Sequence, residues 1–196
     1  MMIALVPLSV QAGERVVLVV GDSLSAAYAM DREQGWVHLL RERLESDHPG
    51  WSVANASITG DTTRGGLSRL PRALDEHEPQ IVVIALGGND GLRGLSPAEI
   101  RGNLERMIGL SRESGAEVML AGVRIPANYG PAYSRLFEQT FRDVAAEHDV
   151  PLLPSILADV EERTELFQSD GIHPSEDAQP VILDNVWTVL RPMIAG

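Results

Sequence analysis

The chain of 196 residues contains no cysteine, which excludes a thiol nucleophile, a thiolate metal site and disulfide bonds. Basic residues are also few: 16 stand against 28 Asp and Glu, so the formal net charge is −12. Since nucleic-acid binding needs clustered cations, this balance predicts no nucleic-acid partner. The apolar start of the chain, residues 1–12, is too short to span a bilayer, and no integral membrane association is expected.

Apolar residues make up 44% of the chain and are spread along its length, which suits one globular domain with a sizeable core. We interpret residues 13–196 as that domain. Residues 1–12 end in Val-Gln-Ala, which resembles the small-x-small cleavage site of a secretory signal, although the usual basic start is missing. We interpret them as a signal-peptide remnant, with an apolar extension of the domain as the alternative. The first interpretation predicts a periplasmic or secreted protein, and the second a cytoplasmic one.

Five short runs rich in Val, Ile and Leu lack the polar alternation of a sheet with one solvated face, so we interpret them as buried parallel strands. Amphipathic stretches of helical length lie between them, for example from a Ser-Pro start at Ser96 to about Glu113. Further helices are expected over 133–148 and 176–190. This alternation predicts an α/β protein, a three-layer α/β/α sandwich around a mostly parallel sheet. The predicted strands are 15–20, 51–56, 80–86, 116–123 and 151–153.

A cluster of three arginines lies in one stretch of helical length. Arg64, Arg69 and Arg72 recur at helical spacing beside Glu76 and Glu78. Mixed charges at this spacing are typical of a solvated helix face, and that is the interpretation adopted here.

Polar, glycine-rich loops follow the first three predicted strands, and another precedes the last predicted helix. In parallel α/β sheets, reactive groups gather in the crevice beyond the carboxyl ends of the strands. We therefore expect these loops to open onto the same edge of the sheet. Their sequences are GDSLS at 21–25, ASITGDT at 56–62, GGNDG at 87–91 and DGIHP at 170–174.

These loops contain the groups that acyl transfer requires. A serine hydroxyl is a poor nucleophile at neutral pH and needs an adjacent base, which an imidazole backed by a carboxylate provides. Ser23 can supply the hydroxyl, His173 the base and Asp170, three residues earlier, the carboxylate. The developing oxyanion needs donors, for which the Ser23 and Gly60 backbone N–H groups and the Asn89 side chain are candidates.

Other chemistries find less support in the sequence. Walker spacing is absent and no GxGxxG opens a helix after the first strand, while Ser25 stands where a G-x-S-x-G elbow needs glycine. The histidines outside the DGIH loop show no HExxH or paired spacing, so no metal and no cofactor is predicted. We interpret Asp22 and Asp90 as residues that brace their loops, and Ser25 and Ser57 as hydrogen bonding within theirs.

The four loop sequences, in this order, resemble the four sequence blocks of the SGNH (GDSL) hydrolase superfamily. NASITGDTTRGGLSRLP, LGGNDGLRG, RIPANYGPAY and DGIHPSEDAQP further resemble its branch of bacterial periplasmic thioesterases, lysophospholipases and arylesterases. The resemblance extends from Arg15 to Pro192. It implies a flavodoxin-like fold around a five-stranded sheet.

The resemblance also implies roles for individual residues. Ser23 would be the nucleophile, His173 the general base and Asp170 the residue that orients the imidazole. Gly60 and Asn89 would complete the oxyanion hole with the Ser23 N–H.

The loop at 124–130 would help to form an acyl-binding crevice. The residues expected to contact substrate there and nearby are Leu92, Ile125, Pro126, Asn128 and Tyr129.

The predicted function is therefore a serine esterase or thioesterase that acts through an acyl-enzyme on Ser23. The expected substrates are small-molecule aryl and alkyl esters, acyl-CoA and lysophospholipids, and the expected working unit is a monomer. Two alternatives stay open: a carbohydrate acetylesterase of the same superfamily, and a non-catalytic flavodoxin-like module that binds a flavin or a phosphorylated ligand.

Overall fold

A parallel sheet of five strands forms the centre of the protein in the computed structural model, which describes residues 14–195. The predicted signal remnant at 1–12 lies outside the described residues. The strand order is β2-β1-β3-β4-β5, and every neighbouring pair is parallel. The strands are β1 (Arg15–Gly21), β2 (Trp51–Asn55), β3 (Ile81–Ala85), β4 (Glu117–Ala121) and β5 (Leu152–Leu153).

Helices cover both faces of the sheet and account for the apolar character of the strands. Side chains alternate along a strand, so Val17 and Val19 face one layer of helices while Leu18 and Val20 face the other. The first layer contains α1 (Trp36–Asp47) and α6 (Gln179–Ala195). The second contains α2 (Thr63–His77), α4 (Pro97–Glu113) and α5 (Pro131–His148), and the short α3 (Gly88–Leu92) follows β3.

The predicted fold class, a three-layer α/β/α sandwich, is confirmed. Element bounds differ by small amounts. The second, third and fourth strands end one or two residues early, because their last predicted residues already belong to loops. The predicted last helix is a 3₁₀ turn (Glu176–Ala178) followed by α6, and α5 begins at Pro131, where the missing N–H of proline costs nothing.

The topology determines where a site can form. From β1 the chain moves outward to β2 and then crosses back to β3 on the other side of β1. The loops that follow β1 and β3 therefore diverge, and the crevice between them is the usual ligand site of doubly wound sheets. Among the described helices, none has the length and apolar character needed to cross a membrane.

Candidate active site

Ser23 lies in the tight turn after β1, at this crevice. The Ser25 and Ala26 N–H groups both donate to the Asp22 carbonyl, at 3.1 and 3.0 Å, and close the turn. Gly21 is required before it, because a Cβ there would lie 2.7 Å from the Ser25 Oγ. The turn leaves Ser23 only 9% exposed, with its hydroxyl directed toward the loop that contains His173.

The structure brings Ser23, His173 and Asp170 together as the sequence predicts. His173 Nε2 lies 3.0 Å from the Ser23 Oγ, and His173 Nδ1 lies 2.7 Å from the Asp170 Oδ2. The other carboxylate oxygen, Oδ1, accepts the backbone N–H groups of Ile172 and His173, each at 2.9 Å. Hydrogen bonds from the His173 backbone, the His173 ring and the Ile172 backbone lower the pKa of Asp170 to about 2. Asp170 is therefore ionised at neutral pH and accepts a hydrogen bond from the Nδ1–H of His173, which leaves Nε2 unprotonated and able to act as a base.

Tyr28 contacts the imidazole, and sequence reasoning missed it. Its ring centroid lies 4.2 Å from that of His173, at an interplanar angle of 36°. The flanking Ala27 and Ala29 both have φ of 54°, a left-handed conformation that alanine rarely adopts. Gln168 donates to the Tyr28 carbonyl at 2.9 Å and so ties this turn to the segment that ends in His173. No local sequence signal marks left-handed alanines, so this contact was not predictable.

The candidate oxyanion donors come from three different segments: the loop after β1, the loop after β2 and the short helix α3. The Asn89 Nδ2 donates to the Asp22 Oδ2 at 3.1 Å, and the Leu24 N–H donates to the Asp22 Oδ1 at 3.0 Å. Gly60 adopts φ of 78°, and its carbonyl accepts a hydrogen bond from Arg93 at 3.0 Å. Asn89 lines the cavity described below together with Ser23, whereas Gly60 lies outside that lining.

Arg69 corrects the interpretation of the arginine cluster. Its Nε donates to the Asp61 Oδ2 at 2.7 Å, and its terminal nitrogens donate to the carbonyls of Ala56 and Gly21. The side chain is only 20% exposed, so the prediction of a solvated face is wrong for this residue. The two other arginines of the cluster are exposed as predicted. Arg69 ties the loops after β1 and β2 to α2.

The bracing role predicted for two carboxylates is confirmed. Asp22 makes the contacts given above, and the buried Asp90 accepts the Thr63 N–H at 2.9 Å and the Thr63 hydroxyl at 2.5 Å. The hydrogen bonds predicted for Ser25 and Ser57 are wrong, since both hydroxyl oxygens are buried without a partner among the described residues.

A cavity of about 430 Å³ opens at Ser23 and His173. Apart from these residues, Asp22, Asn89 and one charged pair, Arg124 and Glu161 at 2.9 Å, its lining is mostly apolar. A cavity of this kind suits an acyl chain better than a polar ligand. The lining residues include Ser23, Leu24, Asn89, Leu92, Val123, Ile125, Pro126, Leu157, Phe167, Ile172 and His173.

The predicted substrate-contacting residues divide into two groups. Leu92, Ile125 and Pro126 line the cavity. Asn128 and Tyr129 do not, and the Tyr129 hydroxyl instead donates to the Leu92 carbonyl at 2.7 Å. Tyr129 therefore supports the backbone of the cavity wall from behind, and a direct substrate contact by either residue is not supported by the geometry.

Comparison with known proteins identifies the family of this chain. The sequence profile of the GDSL-like Lipase/Acylhydrolase family matches residues 19–179, which is most of the chain. The chain belongs to this family. Membership makes it a GDSL hydrolase, and the non-catalytic flavodoxin-like alternative is excluded.

Two known proteins are similar to this chain over most of its length. The chain is 48% identical to the esterase TesA of Pseudomonas aeruginosa, over 98% of this chain and 96% of the relative. It is 43% identical to the thioesterase 1/protease 1/lysophospholipase L1 of Escherichia coli K12, over 90% of this chain and 84% of the relative. Among solved structures, a psychrotrophic esterase EstA from Pseudoalteromonas, inhibited by monoethylphosphonate, is similar at a TM-score of 0.88 and 35% identity. That match covers 93% of this chain and all of the other.

In the described part of the chain, no three His, Asp or Glu side chains are grouped so that they could bind a metal ion.

Proposed function

We propose that this GDSL hydrolase cleaves carboxylic esters and fatty-acyl thioesters through a covalent acyl-enzyme on Ser23. The observation that supports this most directly is the series of contacts from Asp170 through His173 to Ser23 at the wall of an apolar cavity. A hydroxyl, an imidazole and an ionised carboxylate in this order form the arrangement that nucleophilic acyl transfer needs.

In the first half of the reaction, the His173 Nε2 removes the Ser23 hydroxyl proton while Oγ bonds to the acyl carbon. The ionised Asp170 stabilises the imidazolium that forms. The carbonyl oxygen becomes an oxyanion, which we assign to the N–H groups of Ser23, Gly60 and Asn89. The tetrahedral species then collapses, and His173 protonates the departing alcohol or thiol.

In the second half, water replaces the leaving group. His173 removes a proton from this water, whose oxygen attacks the acyl carbon of the acyl-enzyme. The second tetrahedral species expels Ser23 Oγ, which recovers its proton from His173. The products are a carboxylic acid and the free enzyme.

The cavity supports an acyl substrate over an acetylated sugar. We assign the acyl chain to the wall formed by Leu92, Ile125 and Pro126, all apolar and all lining the same cavity as Ser23. Phe167 is the only phenylalanine, tyrosine or tryptophan among the cavity-lining residues of the described chain, so a sugar would find little aromatic surface on which to stack. The names of the relatives, an esterase and a thioesterase/lysophospholipase, agree with ester, acyl-thioester and lysophospholipid substrates.

We also propose that residues 1–12 are a remnant of an export signal and that the enzyme works as a monomer. N-terminal sequencing of protein recovered from the periplasm or medium should then start after Ala12, and light scattering should give a mass near 21 kDa. A full-length N-terminus on exported protein would contradict the first proposal, and a dimer mass would contradict the second.

The test of the proposed function combines labelling with a substrate series. A serine-directed organophosphonate should inactivate the protein with one equivalent bound, and peptide mapping should place the label on Ser23. p-Nitrophenyl esters and acyl-CoAs of increasing chain length should be hydrolysed, with kcat/KM rising over the first methylenes by about 5- to 150-fold each while the apolar wall is being filled. Activity on acetylated xylan with none on acyl chains longer than acetyl would instead favour the carbohydrate esterase.

A further inference from the structure

Asp22 is buried at the cavity next to Ser23 and hydrogen-bonds Asn89, a candidate oxyanion donor, yet the reaction described above does not use it. Only 3% of the residue is exposed, although it bears a carboxylate. Both oxygens are used: Oδ1 accepts the Leu24 N–H at 3.0 Å and Oδ2 accepts the Asn89 Nδ2 at 3.1 Å. Burying a carboxylate costs free energy, which is offset only in part by two hydrogen bonds from neutral groups.

The contact to Asn89 determines which end of its amide faces which way. An ionised carboxylate has acceptors only, so the amide must present NH₂ to Asp22 and not its carbonyl oxygen. One N–H then points at Asp22, and the second N–H of the same nitrogen remains for the cavity that Asn89 lines. If the amide rotated by half a turn, a carbonyl oxygen would replace the donor and repel an oxyanion.

We propose that Asp22 is a positioning residue that locks the Asn89 amide with its N–H toward the oxyanion. This inference rests on the proposed function, since it assigns Asn89 to the oxyanion hole. The two fail separately: a wild-type protein that is not labelled at Ser23 would refute the proposed function, whereas an active wild type with an indifferent Asp22 variant would refute only this inference.

The decisive substitution is Asp22→Asn, which keeps the shape of the side chain and reverses the direction of its hydrogen bond with Asn89. The partly buried Leu24 N–H is a donor and favours an oxygen opposite it, so the new amide should keep its oxygen there and turn its NH₂ toward Asn89. Asn89 then has to rotate and present its own oxygen. The variant should therefore lose about 10²–10³ in kcat, the loss typical of one missing oxyanion donor, with KM changed less than about threefold.

A double-mutant cycle separates this role from a general loss of structure. Because Asp22 acts through Asn89, Asp22→Asn combined with Asn89→Ala should be no more than about threefold slower than Asn89→Ala alone. Independent, multiplicative losses would contradict the proposal. Asp90→Asn is the matched control, since Asp90 is a buried carboxylate in the same region that bonds Thr63 and not Asn89. It should lower the melting temperature while leaving kcat within about fivefold.

The pH dependence of stability gives an independent readout. Burial raises the pKa of Asp22 to about 6, while the Leu24 and Asn89 hydrogen bonds and the charge of His173 oppose the rise and Asp61 adds to it. The folded protein thus binds this proton more tightly than the unfolded chain, so the group's favourable contribution is complete below pH about 4 and lost as the pH rises through about 6. Asp22→Asn lacks this loss. The difference between its melting temperature and that of wild type should therefore become more favourable to the variant from pH 4 to pH 7, although its kcat is lower than that of wild type. A variant that is less stable at every pH and equally slow would indicate a purely structural role and overturn the proposal.

A measurement on the native side chain keeps the inference testable if the variant does not fold. In a His173→Gln protein, which lacks the nearby imidazole, the Asn89 side-chain amide can be followed by ¹⁵N NMR. Its NH₂ signals should shift with a midpoint at or above about pH 6, because this variant loses the His173 charge that lowers the pKa of Asp22, and because protonated Asp22 offers a donor where the amide needs an acceptor. Signals that do not change between pH 4 and 8 would overturn the proposal.

Discussion

Replacing Ser23 with alanine is expected to lower kcat for p-nitrophenyl ester hydrolysis by about a million-fold, the loss typical of removing a triad serine. Without Oγ, the imidazole 3.0 Å away has no proton to remove and no acyl-enzyme can form. What remains is the catalysis by oxyanion donors and binding, about 10³–10⁴ over water. Because the removed oxygen is small and lies at the cavity wall, the melting temperature should stay within a few degrees of wild type.

Ser25→Ala is the matched control for this substitution. Ser25 lies in the same turn, is 2% exposed, and its hydroxyl has no partner among the described residues. Removing this unpartnered hydroxyl should leave kcat within about threefold, because no hydrogen bond is lost. The two variants are compared by their initial rates as purified proteins. Phosphonate-treated wild type gives the background rate. Residual Ser23→Ala turnover above one per cent, insensitive to further phosphonate, would contradict the assignment of the nucleophile.

Asp170→Asn should lower kcat by up to about ten-thousand-fold while substrate binding persists. The two backbone N–H groups that donate to Oδ1 hold the new amide with its oxygen in that position. Its NH₂ then replaces Oδ2 opposite the His173 Nδ1, so that ring nitrogen must become the acceptor. The imidazole consequently takes the tautomer with hydrogen on Nε2, which can no longer accept the Ser23 proton.

Asp177→Asn is the control for charge. It removes the same unit of negative charge seven residues further along, from an exposed side chain that forms no hydrogen bond or ion pair with His173 within the described residues. kcat and KM should both stay near wild type there. Steady-state kinetics at a fixed ionic strength suffices for the comparison. If Asp170→Asn costs less than about tenfold in kcat, some other group orients the imidazole.

The sheet and the grouping of Ser23, His173 and Asp170 were predictable from sequence for a physical reason. Buried parallel strands need continuous apolar runs, and such runs are present at the strands of this sheet. The carboxyl ends of parallel strands share one edge, so loops that are distant in sequence meet there. Ser23 and His173 are 150 residues apart, yet their side chains lie in hydrogen-bond contact. Asp170 follows from local spacing, since three residues of a turn bring its carboxylate to the ring.

Arg69 and Tyr28 were not predictable because their roles depend on tertiary contacts. A charged residue on an amphipathic helix usually faces solvent, and only the positions of the carbonyls of Gly21 and Ala56 reveal that Arg69 has partners inside. Gly65, one turn earlier on α2, is the one retrospective signal, because a Cβ there would collide with the Asp61 carboxylate that Arg69 binds. Tyr28 faces His173 only because the two alanines beside it are left-handed.

The assignment of substrate contacts from sequence was only partly supported, for a related reason. All four residues belong to the loop at 124–130, so the sequence predicted that Asn128 and Tyr129 contact substrate with Ile125 and Pro126. Side chains of one loop can, however, face either the cavity or the protein behind it. Ile125 and Pro126 line the cavity, while the Tyr129 hydroxyl bonds to the backbone behind it. Side-chain direction in an irregular loop depends on backbone angles that composition does not encode.

The backbone that carries Ser23 is more regular than the backbone that carries Asp170 and His173. Ser23 follows β1, which is paired on both sides, whereas Asp170 and His173 lie in the stretch 154–178, where short turns and a single bridge between Phe167 and Pro174 replace strands and long helices. Local opening is cheapest where regular backbone pairing is sparse. On warming, Asp170 and His173 should therefore separate from Ser23 while β1 is still paired, and heat inactivation of this enzyme would begin as a reversible, sub-global event well before the sheet melts.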